Sequence, residues 1–280
     1  MKDFMAKQSI PGAVLAFRLD LAFGQYFKVI DFGTDWTGYT DVENDVITHK
    51  DSIWRLASIS KSLTSALIGR LMDKKLIDLN HDIHTYLSPD FYPYKTFNGS
   101  AVNITVRQVM SHLAGLHMSE VPDYYDVFRA TNVSQTIDIV DELCSYEGWW
   151  PAMGMISTAS DLIRFGNAMI SAYKGKTSDF LSEKTVKELW IPETMGKIKP
   201  EWFNPRDEYG KGWFIKHIPD TDPYPYRTLM WHSGGILGST TMLTLFPDQN
   251  IVGVAFTNKG YVLDLDQIIL NVAKNFKQFL

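Results

Sequence analysis

Ala57-Ser58-Ile59-Ser60-Lys61-Ser62-Leu63-Thr64 is the stretch on which the reading of this chain turns. A helical period begins near Ser58, with Leu63, Leu67 and Leu71 expected down one face. The spacing Ser58-x-x-Lys61 puts a hydroxyl and an ammonium one turn apart on the same side of that helix. A desolvated lysine there loses basicity and can accept the serine proton, while the helix N-terminus offers N–H groups and partial positive charge to an oxyanion. The same residues also read as a helix cap followed by a surface lysine. Spacing alone does not choose between the two, because 19 Ser and 19 Lys in 280 residues give about 1.3 such pairs by chance. Ser171-Ala172-Tyr173-Lys174 is a second match, lying just before Gly175 at an expected helix end, where a solvated lysine is the natural reading.

Residues 12–19 and 26–33 are β-branched and aromatic runs that read as a hairpin of buried strands. A second pair, Thr240 to Phe246 and Ile251 to Thr257, is joined by the turn formers Pro247-Asp248-Gln249-Asn250. Leu263 to Leu280 carries Leu265, Ile268, Ile269, Val272 and Phe276 on a helical stripe. Between the strand pairs, one helix is expected from the capping box Thr105-x-x-Gln108 to Gly115. Another follows Thr158-Ala159-Ser160-Asp161 and runs through Leu162, Phe165 and Met169. Residues 176–230 have no clear period and read as loop with short elements. Strands at both ends with helices between predict an α/β fold of the α+β type, an antiparallel sheet of terminal strands with an inserted helical lobe. The expected division is a single domain, 1–280, with a sheet lobe at about 1–57 and 210–280 and a helical lobe at about 58–209.

Composition narrows the function. The chain is 45% hydrophobic and 21% charged, with 27 Lys and Arg against 32 Asp and Glu. No basic stripe argues for nucleic acid, and no apolar run approaches the roughly 20 residues a spanning helix needs. The single cysteine, Cys144, makes no internal bridge or thiolate cluster. Signatures for phosphate, dinucleotide and zinc sites and for the G-x-S-x-G elbow are absent, so neither metal nor cofactor is expected. Met1 to Ile10 lacks the character of a signal or transit peptide.

Trp231-His232-Ser233-Gly234-Gly235 precedes the strand 240–246, which puts His232 and the N–H groups after it along a strand edge. A strand edge facing a helix N-terminus forms a cleft where an acyl carbonyl accepts two backbone hydrogen bonds. With Ser58-x-x-Lys61, this segment resembles the first and third motifs, S-x-x-K and H-x-G, of the serine β-lactamase and penicillin-binding-protein superfamily. Gly38-Tyr39-Thr40-Asp41-Val42-Glu43-Asn44 resembles its G-x-x-D-x-E-N turn, and Ser111-His112-Leu113-Ala114-Gly115 its S-H-x-x-G segment. Residues 57–64, Ser157-Thr158 and 165–169 are most similar to the mitochondrial serine β-lactamase-like branch.

The resemblance implies an acyl-enzyme mechanism at the junction of sheet and helical lobe, with Ser58 as nucleophile, Lys61 as proton acceptor and His232 and Gly234 as the third-motif wall. It implies an oxyanion hole from the N–H groups of Ser58 and Gly235, and a small peptide, ester or amide as substrate. For that branch it further implies self-assembly, a link to lipid metabolism and a mitochondrial location, with the cytoplasm as the alternative. His112 is expected to order a helix end. The second motif, Y-x-N or S-x-N, is missing between Gly115 and Ser157: Tyr124, Tyr125 and Tyr146 lie in the interval without the pattern. The stretch is short, as though a block near Leu143 to Tyr146 were removed, and Trp149, Trp150 and Met153 read as core of the shortened lobe. Three readings follow: a weakened hydrolase in which one of those tyrosines substitutes, a catalytically inactive binding or scaffold protein, or a splice or gene-model variant.

Overall fold

The computed structural model describes residues 2–23, 26–115, 150–176, 179–193, 207–222, 226–236 and 238–275, with backbone alone for 19–36 and Trp150. In chain order, α1 (Lys2–Gln8) precedes β1 (Gly12–Phe23), β2 (Tyr26–Asp41) and a short β3 (Val46–Ile47). β4 (Trp54–Arg55) runs into a 3-10 turn at Ala57–Ile59 and then α2 (Ser60–Asp73). A small hairpin, β5 (Thr96–Phe97) and β6 (Ser100–Ala101), leads to α3 (Val106–Met110). After α4 (Trp150–Met153) and β7 (Ile156–Ser157) come α5 (Ala159–Tyr173) and α6 (Glu183–Leu189). The chain returns to the sheet through β8 (Asp207–Tyr209), β9 (Phe214–His217), β10 (Thr228–Ile236), β11 (Ser239–Phe246) and β12 (Ile251–Thr257), and then forms α7 (Leu265–Asn275).

Eight strands form one antiparallel sheet in the order β3-β2-β1-β12-β11-β10-β9-β8, so the first and last strand groups meet where β1 pairs with β12. The continuous apolar runs are explained by cover on both faces. In β11 and β12, Leu243, Leu245, Val252, Val254 and Phe256 pack with α5 residues Leu162, Met169 and Ile170. Met242, Phe246, Ile251 and Ala255 point the other way, onto Leu265, Ile269 and Leu270 of α7. Close approach of helix to sheet needs small residues: a Cβ on Gly166 would come within 2.6 Å of Val252.

Local signals hold where hydrogen bonds are local. Thr105 and Gln108 make the reciprocal capping box, and Thr158 caps α5 through the Asp161 N–H. Two expectations need correction, the end of the helix after Thr105 and the face of α2 that is buried, and two others gain their bounds. The helix after Thr105 stops at Met110, because His112 takes a left-handed φ of 61°. The terminal helix spans Leu265–Asn275 among the described residues, and Phe276 lies outside them. Among the described residues the stretch 176–230 carries the short elements expected of it, two sheet strands, a helix and the start of β10, each too short to show a period. Leu63, Leu67 and Leu71 are not the buried face of α2: Leu67 is 54% exposed, while Ser62, Ser65, Ala66 and Gly69 are buried. Ser62 and Ser65 on that face lie against the turn at Lys211 and Gly212, while Gly69 lies against Leu181, Thr185 and Leu189, close approaches that need small residues.

Candidate active site

Ser58 sits in the 3-10 turn between β4 and α2, not at a side-chain cap, since the helix has none at Ile59. Three bonds fix the turn. The Leu56 N–H donates to Met155 (2.8 Å), Thr241 Oγ1 donates to the Leu56 carbonyl (2.9 Å), and the Met155 N–H donates to Ser60 Oγ (3.1 Å). Ala57, one residue before Ser58, is held at φ 46°, a left-handed conformation that costs an alanine energy and is kept by these surroundings.

Lys61 Nζ lies 2.8 Å from Ser58 Oγ and 3.0 Å from the carbonyl of Ala152. Burial pushes its pKa down to about 8, because an ammonium removed from water is disfavoured against the neutral amine. The second Ser-x-x-Lys pair does something else. Lys174 is exposed beyond the end of α5 and donates to Asn250 Oδ1 (2.7 Å).

His232 and Gly234 point to the Ser58 side of β10. A Cβ on Gly234 would fall 2.2 Å from the Leu56 carbonyl oxygen and 3.0 Å from Ala57 Cβ, so only glycine lets the strand lie against the Ser58 turn. β9 pairs with β10 only as far as Trp231, which leaves Gly235 exposed, with nothing within 4 Å of a Cβ built there. His232 is buried, with Nδ1 2.6 Å from the Ser233 carbonyl and Nε2 3.2 Å from the Tyr209 hydroxyl. The network assigns the proton to Nδ1, so that Nε2 accepts from Tyr209. Burial is the main cause holding His232 well below the usual imidazole range, and the charges of Lys61 and His112 add to it. His112 is lowered by burial and by Lys61, and its ring lies 5.1 Å from that of Tyr209. Burial raises the Tyr209 phenol, which stays neutral.

Tyr209 and the turn after it were invisible in the sequence as site residues. Gly210-Lys211-Gly212-Trp213 joins β8 to β9, and the only signal was two glycines beside aromatic residues in a stretch without period. Gly212 has φ 77°, and a Cβ on it would lie 2.7 Å from the Lys61 carbonyl. Ser62 donates to the Gly212 carbonyl (2.8 Å) and Ser65 to that of Lys211, so α2 is bound to this turn through its small face. A cavity of about 220 Å³ opens beside Lys61, walled by Thr64, Met110, His112, Pro151 and Tyr209. The suggested second-motif substitutes, Tyr124, Tyr125 and Tyr146, lie outside the described residues, as do Trp149 and the Trp150 side chain. Met153 is partly buried, on α4.

The chain matches the family model "Beta-lactamase" over residues 1–146 and 117–273. It is 41% identical over 83 residues to the serine beta-lactamase-like protein LACTB, mitochondrial, of Bos taurus, and 40% identical to its Homo sapiens counterpart. These alignments cover 30% of this chain and 15% of those proteins. The esterase/beta-lactamase LipL of Mycobacterium tuberculosis is 37% identical over 105 residues, 38% of this chain and 21% of LipL. Among solved structures, a class C beta lactamase from Rhodobacter sphaeroides superposes with TM-score 0.66 at 14% identity, covering 100% of this chain and 98% of that one. The octameric penicillin-binding protein homologue from Pyrococcus abyssi gives 0.69 at 15% identity over 97% of this chain and 74% of that one. A sheet built from both ends of the chain and a serine-lysine pair on the helix beside it thus fall where the comparisons lead: the chain belongs to the β-lactamase family of serine hydrolases.

Proposed function

We propose that the chain is a serine hydrolase that cleaves small amides or esters, peptides among them, through an acyl-enzyme on Ser58. The observation that carries this reading is the 2.8 Å contact between Ser58 Oγ and Lys61 Nζ, with the lysine pushed down to about 8. At pH 7 roughly a tenth of such a lysine is neutral, enough to act as base. The neutral amine takes the Ser58 hydroxyl proton as Oγ attacks the carbonyl carbon. The oxyanion formed is held by the N–H groups of Ser58 and Gly235. Collapse breaks the bond to the alcohol or amine, which leaves with the proton from Lys61, and water then hydrolyses the acyl-serine by the same relay.

His232 is a wall of this site rather than its base, since both ring nitrogens are already engaged. The second motif is missing from the sequence, so the rate is expected to be low, as loss of one member of a proton-relay set costs orders of magnitude. That same gap supports a second reading, a binding or scaffold protein that keeps the cleft without turnover. The octameric Pyrococcus homologue supports self-assembly in either case, and similarity to LACTB supports a mitochondrial setting and a link to lipid metabolism.

Intact-mass analysis after incubation with a fluorophosphonate separates the readings. The hydrolase reading expects one adduct, lost in Ser58→Ala and kept in Ser171→Ala. A folded protein that gains no mass is the scaffold.

A further inference from the structure

We infer that Thr64 is a positioning residue for the proposed hydrolysis: it holds the carbonyl of Pro151, which keeps the neighbouring carbonyl of Ala152 on Lys61 Nζ and the lysine turned toward Ser58. The inference rests on the reading of Ser58 as nucleophile and Lys61 as its base. α4 is a single turn, Trp150–Met153, too short to satisfy its own carbonyls. In a longer helix the Met155 N–H would close on the Pro151 carbonyl four residues back. Here α2 takes both halves of that bond. Ser60 Oγ accepts from the Met155 N–H (3.1 Å), and Thr64 Oγ1 donates to the Pro151 carbonyl (2.6 Å). Residues 151–155 are thus pinned at both ends, and the Ala152 carbonyl between the pins accepts from Lys61 Nζ (3.0 Å).

Ser58, Lys61 and Thr64 follow at three-residue intervals, so their side chains lie along one side of the 3-10 turn and α2. A neutral lysine has two N–H donors and one lone pair. An N–H spent on the Ala152 carbonyl restricts rotation about the Cε–Nζ bond and leaves the lone pair for the Ser58 hydroxyl, 2.8 Å away. The two pins differ in their support. Ser60 is fully buried, and the Met155 end is also fastened by the Leu56 N–H, which donates to the Met155 carbonyl (2.8 Å). Pro151 is exposed and Thr64 half-buried, both on the wall of the cavity beside Lys61. The Pro151 end therefore depends on the Thr64 hydroxyl, and with that hydroxyl removed the Ala152 carbonyl is held from one side alone.

The test follows the lysine and the serine in the same variants of the whole chain. In protein labelled with ¹³C-lysine, a side chain held in one rotamer gives its two ε-protons separate NMR shifts, and a freely turning one gives a single averaged shift. The Lys61 signal is assigned by its absence from Lys61→Met. Separate shifts are expected in the parent and in Thr64→Ser, which keeps the hydroxyl, and one merged shift in Thr64→Val, which keeps the shape. Fluorophosphonate labelling of Ser58 is compared near pH 9.5, above the Lys61 midpoint of about 8, where the rate reads position and not charge. Thr64→Val should lose about tenfold there, less than the hundredfold of a 1 Å misplacement because water takes part of the hydroxyl's place at this exposed bond, and Thr64→Ser should label like the parent. A merged Lys61 shift in the parent, separate shifts or a parental rate in Thr64→Val, or a loss that Thr64→Ser shares overturns the inference. A parent that keeps separate shifts, loses them in Thr64→Val and takes up no label overturns the hydrolase reading instead and leaves Thr64 as the clamp on Lys61.

Discussion

The Tyr209 hydroxyl lies 3.2 Å from His232 Nε2, while the other ring nitrogen of His232 lies 2.6 Å from the carbonyl of the next residue, Ser233. With both nitrogens engaged in a buried site, the imidazole is neutral and has no lone pair to offer a substrate. A tyrosine on β8 and a histidine on β10 therefore brace each other across β9, and under the proposed mechanism the Ser58 proton is left to Lys61.

Tyr209→Phe tests that arrangement. Removing the hydroxyl leaves Nε2 buried without its donor, which costs about 1–3 kcal/mol. The thermal midpoint should fall by several degrees. Ser58 labelling by the fluorophosphonate should change less than tenfold, because His232 does not carry the proton. A loss of a hundredfold or more with the fold intact would make Tyr209 part of the relay.

The pH dependence of labelling should report Lys61 alone. The neutral amine is the active form, so the rate should rise with pH through a single midpoint near 8. His112 and His232 are both shifted below the usual imidazole range, and no inflection is expected between pH 6 and 7. A profile with a midpoint near 6.5 would identify a histidine as the base instead.

Linkage makes the same lysine a source of instability. Its folded pKa is about 8 against 10.5 ordinarily, which corresponds to about 3 kcal/mol. Lysine is charged in both states below pH 8, so the penalty is full there and is relieved as pH rises from 8 to 10.5. Lys61→Met should therefore be inactive yet more stable at pH 7, by less than that amount because bonds to Ser58 and Ala152 are lost. Denaturation of both proteins across that interval should show the gap closing as pH rises; a variant less stable than the parent at pH 7 would contradict the assignment.

What could be read from the sequence was what short-range chemistry dictates. Thr105 with Gln108 and Thr158 with Asp161 are caps whose bonds span three residues, and β11 and β12 are continuous apolar runs bounded by turn formers. Ser58, Lys61, His232 and Gly234 came from spacing and resemblance, and the fold brings them to one cleft. Tyr209 escaped because β8 and β9 have three and four residues and are strands only by virtue of their neighbours. The buried face of α2 was misread because apolar periodicity presumes an apolar partner. Here the partner is a backbone turn, which accepts bonds from Ser62 and Ser65 and leaves no room for leucine.

That turn rests on a half-buried charge cluster around an enclosed lysine. Lys211 is fully enclosed, with Nζ 2.5 Å from Glu193 and 2.9 Å from the Glu188 carbonyl, and Arg107 reaches Glu188 at 2.7 Å and Glu193 at 2.6 Å. Burial opposes ionisation of Glu193, but hydrogen bonds from Lys211 and Arg107 outweigh it and hold the carboxyl below its usual range. Lys211→Met leaves two part-buried carboxylates to share Arg107 alone, at a cost of about 1–3 kcal/mol. Chemical denaturation should show that loss. Ser58 labelling should slow as well, since α2 is tied to the carbonyls of this turn. A change below 1 kcal/mol would mean that Arg107 alone neutralises both carboxylates.

Gly234 and Gly235 provide a paired test of how closely the third-motif strand must approach the nucleophile. An alanine at 234 would drive its Cβ to 2.2 Å from the Leu56 carbonyl oxygen and 2.4 Å from Thr241 Oγ1, two atoms joined by the hydrogen bond that fixes the Ser58 turn. The strand or the turn must shift, at about 1–3 kcal/mol for overpacking. An oxyanion hole displaced by even 1 Å loses on the order of a hundredfold in rate. At 235 the same methyl group meets nothing within 4 Å. Gly234→Ala should therefore lose Ser58 labelling by about a hundredfold, and Gly235→Ala should stay within a few-fold of the parent, both read by intact mass against time. Equal effects at the two positions would mean that the approach of β10 to the 57–59 turn does not set the geometry of the site.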